Sequence, residues 1–390
     1  KRSSEGGVDD HRMQARTRAV RVALAAPRAA ATRSFGATSL MEGTEMEGRG
    51  GYCTDRGLKA TIFGASGMLG RYVVAELASR GITCYIPFRG NDLEVRHLTI
   101  SADLGKMALI PFNVRDDDSI VDSIRDADLV INLMGKSMDT KHVLPWKVTT
   151  PMREVHVTAA RKVANIAYQM GVQQFIHVSS LNASANSKSI WRQTKAEGEE
   201  AVQEAFPGAT IVRPSVMYGE EDQYLNNIAR MARSWPKFIL PNKGANLVQP
   251  VFVHDVAKAI KLMVQNPAAI DATFELAGPR LYSSKDVCEA VFRIIRHQTE
   301  VVDLPLPVIE AIAKVIEFTP LLRHRGAQGM PEMTPDIITN RWVEDNFLIP
   351  DGECQTFEDL NIVPAEMEKV AFRFLHQYRM DSHFLEVNGA

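Results

Sequence analysis

Three glycines at three-residue spacing stand in the run Gly64-Ala65-Ser66-Gly67-Met68-Leu69-Gly70, directly after the apolar stretch Lys59 to Phe63. Each glycine has a physical task in a loop that grips phosphate: the first permits the tight turn, the second lets a pyrophosphate approach the backbone, and the third lets helix and strand pack closely. The helix that follows adds amide donors and the positive end of its dipole. A turn kept only for packing would show the same glycines. Their position between a strand and a helix, at the head of a series of βαβ units, points instead to a dinucleotide. Cofactor choice is read at the end of the second strand, where an NAD-selective site places Asp or Glu on the ribose hydroxyls. This chain has Pro87-Phe88-Arg89 there. Arg89 is suited to charge-assisted bonds with a 2′-phosphate and favours NADP(H), whereas Asp92 or Glu94 would restore NAD and a solvated arginine would say nothing.

The elements that must position these residues follow from periodicity. Apolar runs of strand length, Lys59 to Phe63, Thr83 to Pro87, Ala108 to Phe112, Leu129 to Leu133, Gln174 to Val178 and Thr210 to Arg213, alternate with helical stretches at Gly70 to Ser79, Ser119 to Ile124, Arg153 to Met170 and Thr194 to Phe206. That alternation predicts an α/β fold, a Rossmann-type doubly wound parallel sheet over residues 58–277. From Tyr218 the pattern loosens into prolines, a strand-like Gln249 to Val253 and a helix at His254 to Val264. A smaller, helix-rich capping lobe is expected over 278–390.

Composition sets further bounds. The chain has 390 residues, 45% of them hydrophobic and 24% charged, with a formal net charge of −2, which fits an ordinary globular protein. No run approaches the roughly 18 apolar residues of a membrane span, and Leu304 to Leu322 is broken by Glu310, Lys314 and Glu317. The cysteines Cys53, Cys84, Cys288 and Cys354 have neither C-x-x-C spacing nor histidine partners, so reduced thiols are expected and no metal site. Residues 1–34 carry Lys1, Arg2, Arg12, Arg16, Arg18, Arg21, Arg28 and Arg33 against Glu5, Asp9 and Asp10, and no acid occurs from Arg12 to Leu40. This is expected of a mitochondrial transit peptide, with a plastid presequence or a plain basic tail as alternatives. Residues 35–57 are expected to form a linker or arm. The remaining body is mildly acidic, which argues against a broad nucleic-acid surface.

The glycine spacing, Asn132-Leu133-Met134-Gly135, Phe175-Ile176-His177-Val178-Ser179-Ser180 and Arg213-Pro214-Ser215-Val216-Met217-Tyr218-Gly219 resemble the extended and atypical short-chain dehydrogenase/reductases. That resemblance implies a Tyr-x-x-x-Lys pair on the helix after the serine strand, lysine holding the ribose and tyrosine exchanging the proton. The matching stretch here is Trp191-Arg192-Gln193-Thr194-Lys195. An indole N–H donates a hydrogen bond but does not titrate near neutrality, so Trp191 cannot serve as general acid or base. Lys195 retains a ribose role, unless it is a plain surface lysine. Ser179 or Ser180 lines the cleft or caps the strand end, and His156 reads as a core histidine rather than a proton shuttle.

Several stretches match more narrowly: Gly70-Arg71-Tyr72-Val73-Val74, Ile86-Pro87-Phe88-Arg89, Val130 to Lys136, Leu181-Asn182-Ala183 and Gln249 to Val253. They resemble the short-chain-dehydrogenase-like accessory subunits of mitochondrial respiratory complex I, the alpha-subcomplex subunit nine family, over most of Leu58 to Tyr378. The resemblance implies a matrix-side subunit at the inner membrane, near the junction of peripheral and membrane arms and contacting other complex I subunits. It implies NADPH held structurally, with no catalytic residue. Gly64, Ser66, Gly67, Met68, Leu69, Gly70 and Arg71 would surround the phosphates, Arg89 the 2′-phosphate and Lys195 the ribose, with Leu133, Gly135, Ser179 and Pro214 along the cleft. The family's Asp after the third strand is Asn113 here, followed by Val114 at the adenine. The alternatives are an active atypical NADPH-dependent reductase relying on Lys195 and an organellar RNA-binding relative. The stretch Val308 to Phe318, with Ile309, Ile312, Ile316 and Phe318 on one side, reads as core or as a face for membrane or partner.

Overall fold

A computed structural model describes residues 57–137, 151–297, 299–318, 334–349, 352 and 354–379. The expectations on residues 1–34 and 35–56 lie outside these, as do the side chains of Ile312, Ile316 and Phe318.

Seven parallel strands form the central sheet: β1 (Lys59–Phe63), β2 (Thr83–Phe88), β3 (Met107–Pro111), β4 (Leu129–Asn132), β5 (Gln174–Val178), β6 (Thr210–Pro214) and β11 (Thr273–Leu276). Their order is β11-β6-β5-β4-β1-β2-β3, with the reversal of direction between β1 and β4. The doubly wound sheet expected from the periodicity is therefore present. Helix α1 (Met68–Ala78) and α6 (Val253–Gln265) cover one face, and α2 (Asp117–Ile124), α3 (Ala160–Gln169) and α4 (Ile190–Ala205) cover the other. Strands β4 and β5 are buried along their whole length, so neither alternates between a core and a solvent face, and β5 buries Gln174 and His177 among its apolar residues. The crossover from β2 to β3 is not an α-helix but two 3-10 turns, 92–94 and 96–101. The helix predicted from Arg153 begins as a π-turn over Glu154–Ala159.

The second core cluster draws on both sides of residue 277. It packs α5 (Leu225–Ser234) and β8 (Lys237–Pro241) against α7 (Ser284–Ile295), with Phe374 and Leu375 of a late helix, α10 (Met367–Leu375), closing it. Short pairs, β7 (Met217–Tyr218) with β10 (Val251–Phe252), β9 (Leu247–Val248) with β12 (Tyr282–Ser283), and β8 with β13 (Glu300–Leu304), connect this lobe. Beyond β13 come α8 (Leu306–Phe318) and the single turn α9 (Pro335–Ile338). Ile309 and Ala313 of α8 are buried against Ile338 of α9, so that part of its apolar side is core. Among the described residues no helix is long and apolar enough to cross a membrane.

Candidate functional site

The first strand ends in a left-handed Gly64, φ +80°, whose carbonyl accepts the Gly67 N–H at 3.1 Å. A Cβ at Gly64 would lie 2.9 Å from the Leu133 backbone, and one at Gly70 would lie 2.5 Å from the Gly64 oxygen and 2.6 Å from the Ala65 Cα. Both glycines are thus required by backbone approaching backbone. Gly67 differs: its Cβ would meet only the Gly64 oxygen at 3.3 Å, and with Ser66 it faces outward. Helix α1 has no side-chain cap and no acidic residue in its first turn. Its first amides have no intrahelical acceptor, so the loop presents unpaired N–H groups and a positive dipole end to an anion. By contrast, α2 is capped by Asp116 and α7 by a Ser283–Asp286 capping box.

Across the reversal point, Lys195 is buried on α4, 6% exposed, and donates from Nζ to the Val178 carbonyl at 3.1 Å. It is not a surface lysine. Burial pulls its pKa down to about 8, with Glu199 opposing. A Cβ on Gly135 would lie 3.7 Å from this amine, so the amine sits beside the end of β4. Trp191 turns its indole N–H to the Lys136 carbonyl at 3.1 Å. His156 Nε2 accepts the Lys136 amide at 3.0 Å, so its proton is on Nδ1 and faces Thr194 Oγ1 at 2.9 Å. Thr194 then donates to the Trp191 carbonyl at 2.9 Å. Burial, and then the Lys195 charge, lower the His156 pKa to about 2, as expected of a core histidine. His177 accepts from Asn132 Nδ2 at 3.2 Å and is lowered to about 3, again chiefly by burial. Ser179 Oγ and His177 Nε2 are buried without hydrogen-bond partners among the described residues.

A dinucleotide fits this architecture: an uncapped glycine turn on one side of the reversal, and a buried amine with spare protons and an orphaned hydroxyl on the other. Among the described residues no group of three or more His, Cys, Asp or Glu side chains is placed to hold a metal ion.

Residues 60–277 match the NAD dependent epimerase/dehydratase family. The NADH-ubiquinone oxidoreductase 40 kDa subunit of Neurospora crassa mitochondria is 36% identical over 86% of this chain and 84% of its own length. The mitochondrial NADH dehydrogenase (ubiquinone) 1 alpha subcomplex subunit 9 of Arabidopsis thaliana is 34% identical over 85% of this chain and 81% of its own. The chain belongs to this subunit 9 family of complex I, built on an epimerase-type domain. An NADPH-dependent quinone oxidoreductase of Escherichia coli, solved with NADPH, shares the fold at TM-score 0.60 and 15% identity, covering 81% of this chain and 99% of that one.

The other predicted positions lie at the carboxyl ends of the strands or on the turns that follow, the edge at which doubly wound sheets form their ligand crevice. Met68 and Arg71 are half-buried and Leu69 is buried on the first turn of α1; Val114 is half-buried beyond β3, Leu133 half-buried after β4, and Pro214 buried at the end of β6. Arg71 pairs with Glu221 at 2.6 Å, beside Tyr72 and the lobe. Arg89 is exposed at the end of β2, and Asp92 and Glu94 are exposed in the following 3-10 turn. Sequence reasoning missed the network behind Lys195, where Arg213 bridges Glu199 at 2.8 Å and Glu275 at 3.1 Å across α4, β6 and β11. Glu199 is four residues from Lys195, a spacing that places both on one helix face, and this was the available signal. The partnership with β11 carried none.

Proposed function

We propose that this chain is a non-catalytic accessory subunit of mitochondrial NADH:ubiquinone oxidoreductase, on the matrix side of the inner membrane near the junction of the peripheral and membrane arms, and that it holds NADPH as a structural ligand. The observation that carries this reading is the fate of the proton donor. The residue four before Lys195 is an indole whose only N–H is already given to the Lys136 carbonyl. The nearest imidazole is held neutral in the core. Neither ring beside Lys195 hands over a proton at neutral pH, so a hydride donor bound here lacks the tyrosine step, while the glycine turn and Lys195 still suit the phosphates and ribose. Ser66, Gly67, Met68 and Leu69 would supply the phosphate cradle and Arg89 the charge for the 2′-phosphate. Firm binding to the folded state alone would stabilise the subunit by mass action and fix the surface its partners dock on.

A second reading, a reductase relying on Lys195, draws on the lowered pKa of that buried amine, which would exchange a proton near neutrality. One experiment separates the two. Native complex should release about one NADPH per copy of this chain, and the chain should migrate with complex I on a native gel. A free monomer that turns over NADPH with a carbonyl substrate, and loses turnover but not binding in Lys195→Ala, rejects the structural reading.

A further inference from the structure

Helices α1 and α4 both start at the carboxyl end of the sheet, where ligands of doubly wound folds lie. Their first turns differ. That of α1 is uncapped, whereas that of α4 is filled by a carboxylate from far along the chain: Asp336 accepts the N–H of Ile190 at 2.7 Å and of Trp191 at 3.3 Å, and the Ser189 hydroxyl at 3.1 Å. The segment that supplies Asp336 runs on across the crevice. Glu344 accepts the Ser187 hydroxyl at 2.7 Å and the Lys188 amide at 2.7 Å. Arg192, 4% exposed, gives its guanidinium to Asn340 Oδ1 at 2.8 Å and the Asp345 carbonyl at 2.8 Å, and pairs with Glu344 at 3.2 Å. Asn346 receives the Ser215 hydroxyl at 3.2 Å, one residue past Pro214, and bridges to Val248 in the lobe. One strap therefore touches the loop after β5, the start of α4, the loop after β6 and the lobe. These bound the crevice on the β5–β6 side of the reversal, opposite the glycine turn's α1.

We propose that residues 334–347 fill the substrate half of the crevice, and that Arg192, Asp336 and Glu344 are the specificity-determining residues that admit a nucleotide while excluding a second organic substrate. The inference rests on the nucleotide reading for the word substrate, but closure of the crevice is a separate claim. A buried arginine with three kinds of acceptor, and a helix terminus satisfied by a carboxylate, are costly to open because each partner left behind is a buried unpaired group. A strap so fastened is a wall rather than a mobile lid.

The test places a thiol behind the strap. Ser215→Cys in the full chain should react with iodoacetamide at least about 100-fold more slowly than in the denatured chain, with the modified position identified by peptide mass spectrometry. Adding Asp336→Ala and Glu344→Ala should speed that reaction at least about 10-fold. Asp336→Asn, which keeps the shape and removes the charge, is the milder variant, expected to give a smaller increase should the double variant lose its circular dichroism. In parallel, acrylamide quenching of NADPH fluorescence should be several-fold weaker in the unaltered chain than for free NADPH, and should recover in the variant. Equal thiol reactivity with the strap intact and loosened overturns the proposal. A protected thiol in a chain that takes up no NADPH supports the closed crevice and overturns the functional reading instead.

Discussion

Trp191 gives its ring N–H to the Lys136 carbonyl, and His156 accepts the amide of the same residue, so both rings beside Lys195 are committed to backbone. Their state has a measurable consequence. His156 and His177 are held at about 2 and about 3, against about 6.5 in an unfolded chain. Between those values the unfolded chain binds more protons, so stability rises with pH and is lost on acidification below about 6.5. Each histidine contributes up to about 1.4 kcal/mol per pH unit in that window. Denaturant unfolding should therefore give a stability roughly 2–4 kcal/mol lower at pH 5 than at pH 7, and His177→Gln should flatten the slope; equal stability at both pH values in the unaltered chain rejects the assignment. The glycine turn allows a second separation. Gly70→Ala drives a Cβ into the Gly64 and Ala65 backbone and should cost about 3 kcal/mol or more. Gly67, at φ −72°, admits a side chain, so Gly67→Ala should keep stability within about 1 kcal/mol yet weaken nucleotide binding at least about 10-fold, read by calorimetry. Unchanged binding in Gly67→Ala would show that no phosphate approaches that face.

Arg213 joins α4, β6 and β11, pairing with Glu199 and Glu275, which are 7% and 11% exposed. Removing it leaves two largely buried carboxylates unpaired, so Arg213→Met should cost about 3–5 kcal/mol in chemical denaturation, and a loss under about 1 kcal/mol would mean the pairs are solvated. This network also shows where sequence stops being informative. The strands from Lys59 to Val178 and helix α1 were legible because hydrophobic period is a local property. The glycine turn was legible because the spacing of Gly67 and Gly70 reflects contacts within one βα unit, although the approach of Leu133 to Gly64 comes from another strand. Glu199, Arg213 and Glu275 read individually as ordinary charges, since nothing local says that three elements will meet. The same holds for Asp336 and Glu344, whose partners lie 145 to 157 residues earlier. The lobe was foreseen as a unit after 277, but its core also takes Tyr218, Leu225 and Phe238 from before that point, because apolar residues of mixed spacing do not announce which core they join.

At the scale of the whole molecule, a polar contact joins the two sides of the crevice, Arg71 of α1 to Glu221 beyond β7, while Asp336 ties the strap to the start of α4 on one side. A nucleotide gripped by the glycine turn and by Lys195 would bind only when both sides are in place, so its binding energy would appear as stability of the entire fold. At 1,000 times its dissociation constant a ligand stabilises by about 4 kcal/mol, which for a chain of this size raises the melting temperature by roughly 5 °C. NADPH should produce that shift, and NADH a smaller one, because on the proposed reading Arg89 would meet a 2′-phosphate only in the former. Arg89→Ala, at an exposed position where the fold should tolerate it, should lower NADPH affinity at least about 10-fold, the loss of about 1.5–3 kcal/mol from one charge-assisted bond, and leave NADH untouched. Equal shifts with the two cofactors, insensitive to Arg89→Ala, would make Arg89 a solvated arginine and move cofactor choice to Asp92 or Glu94 in the 3-10 turn behind it.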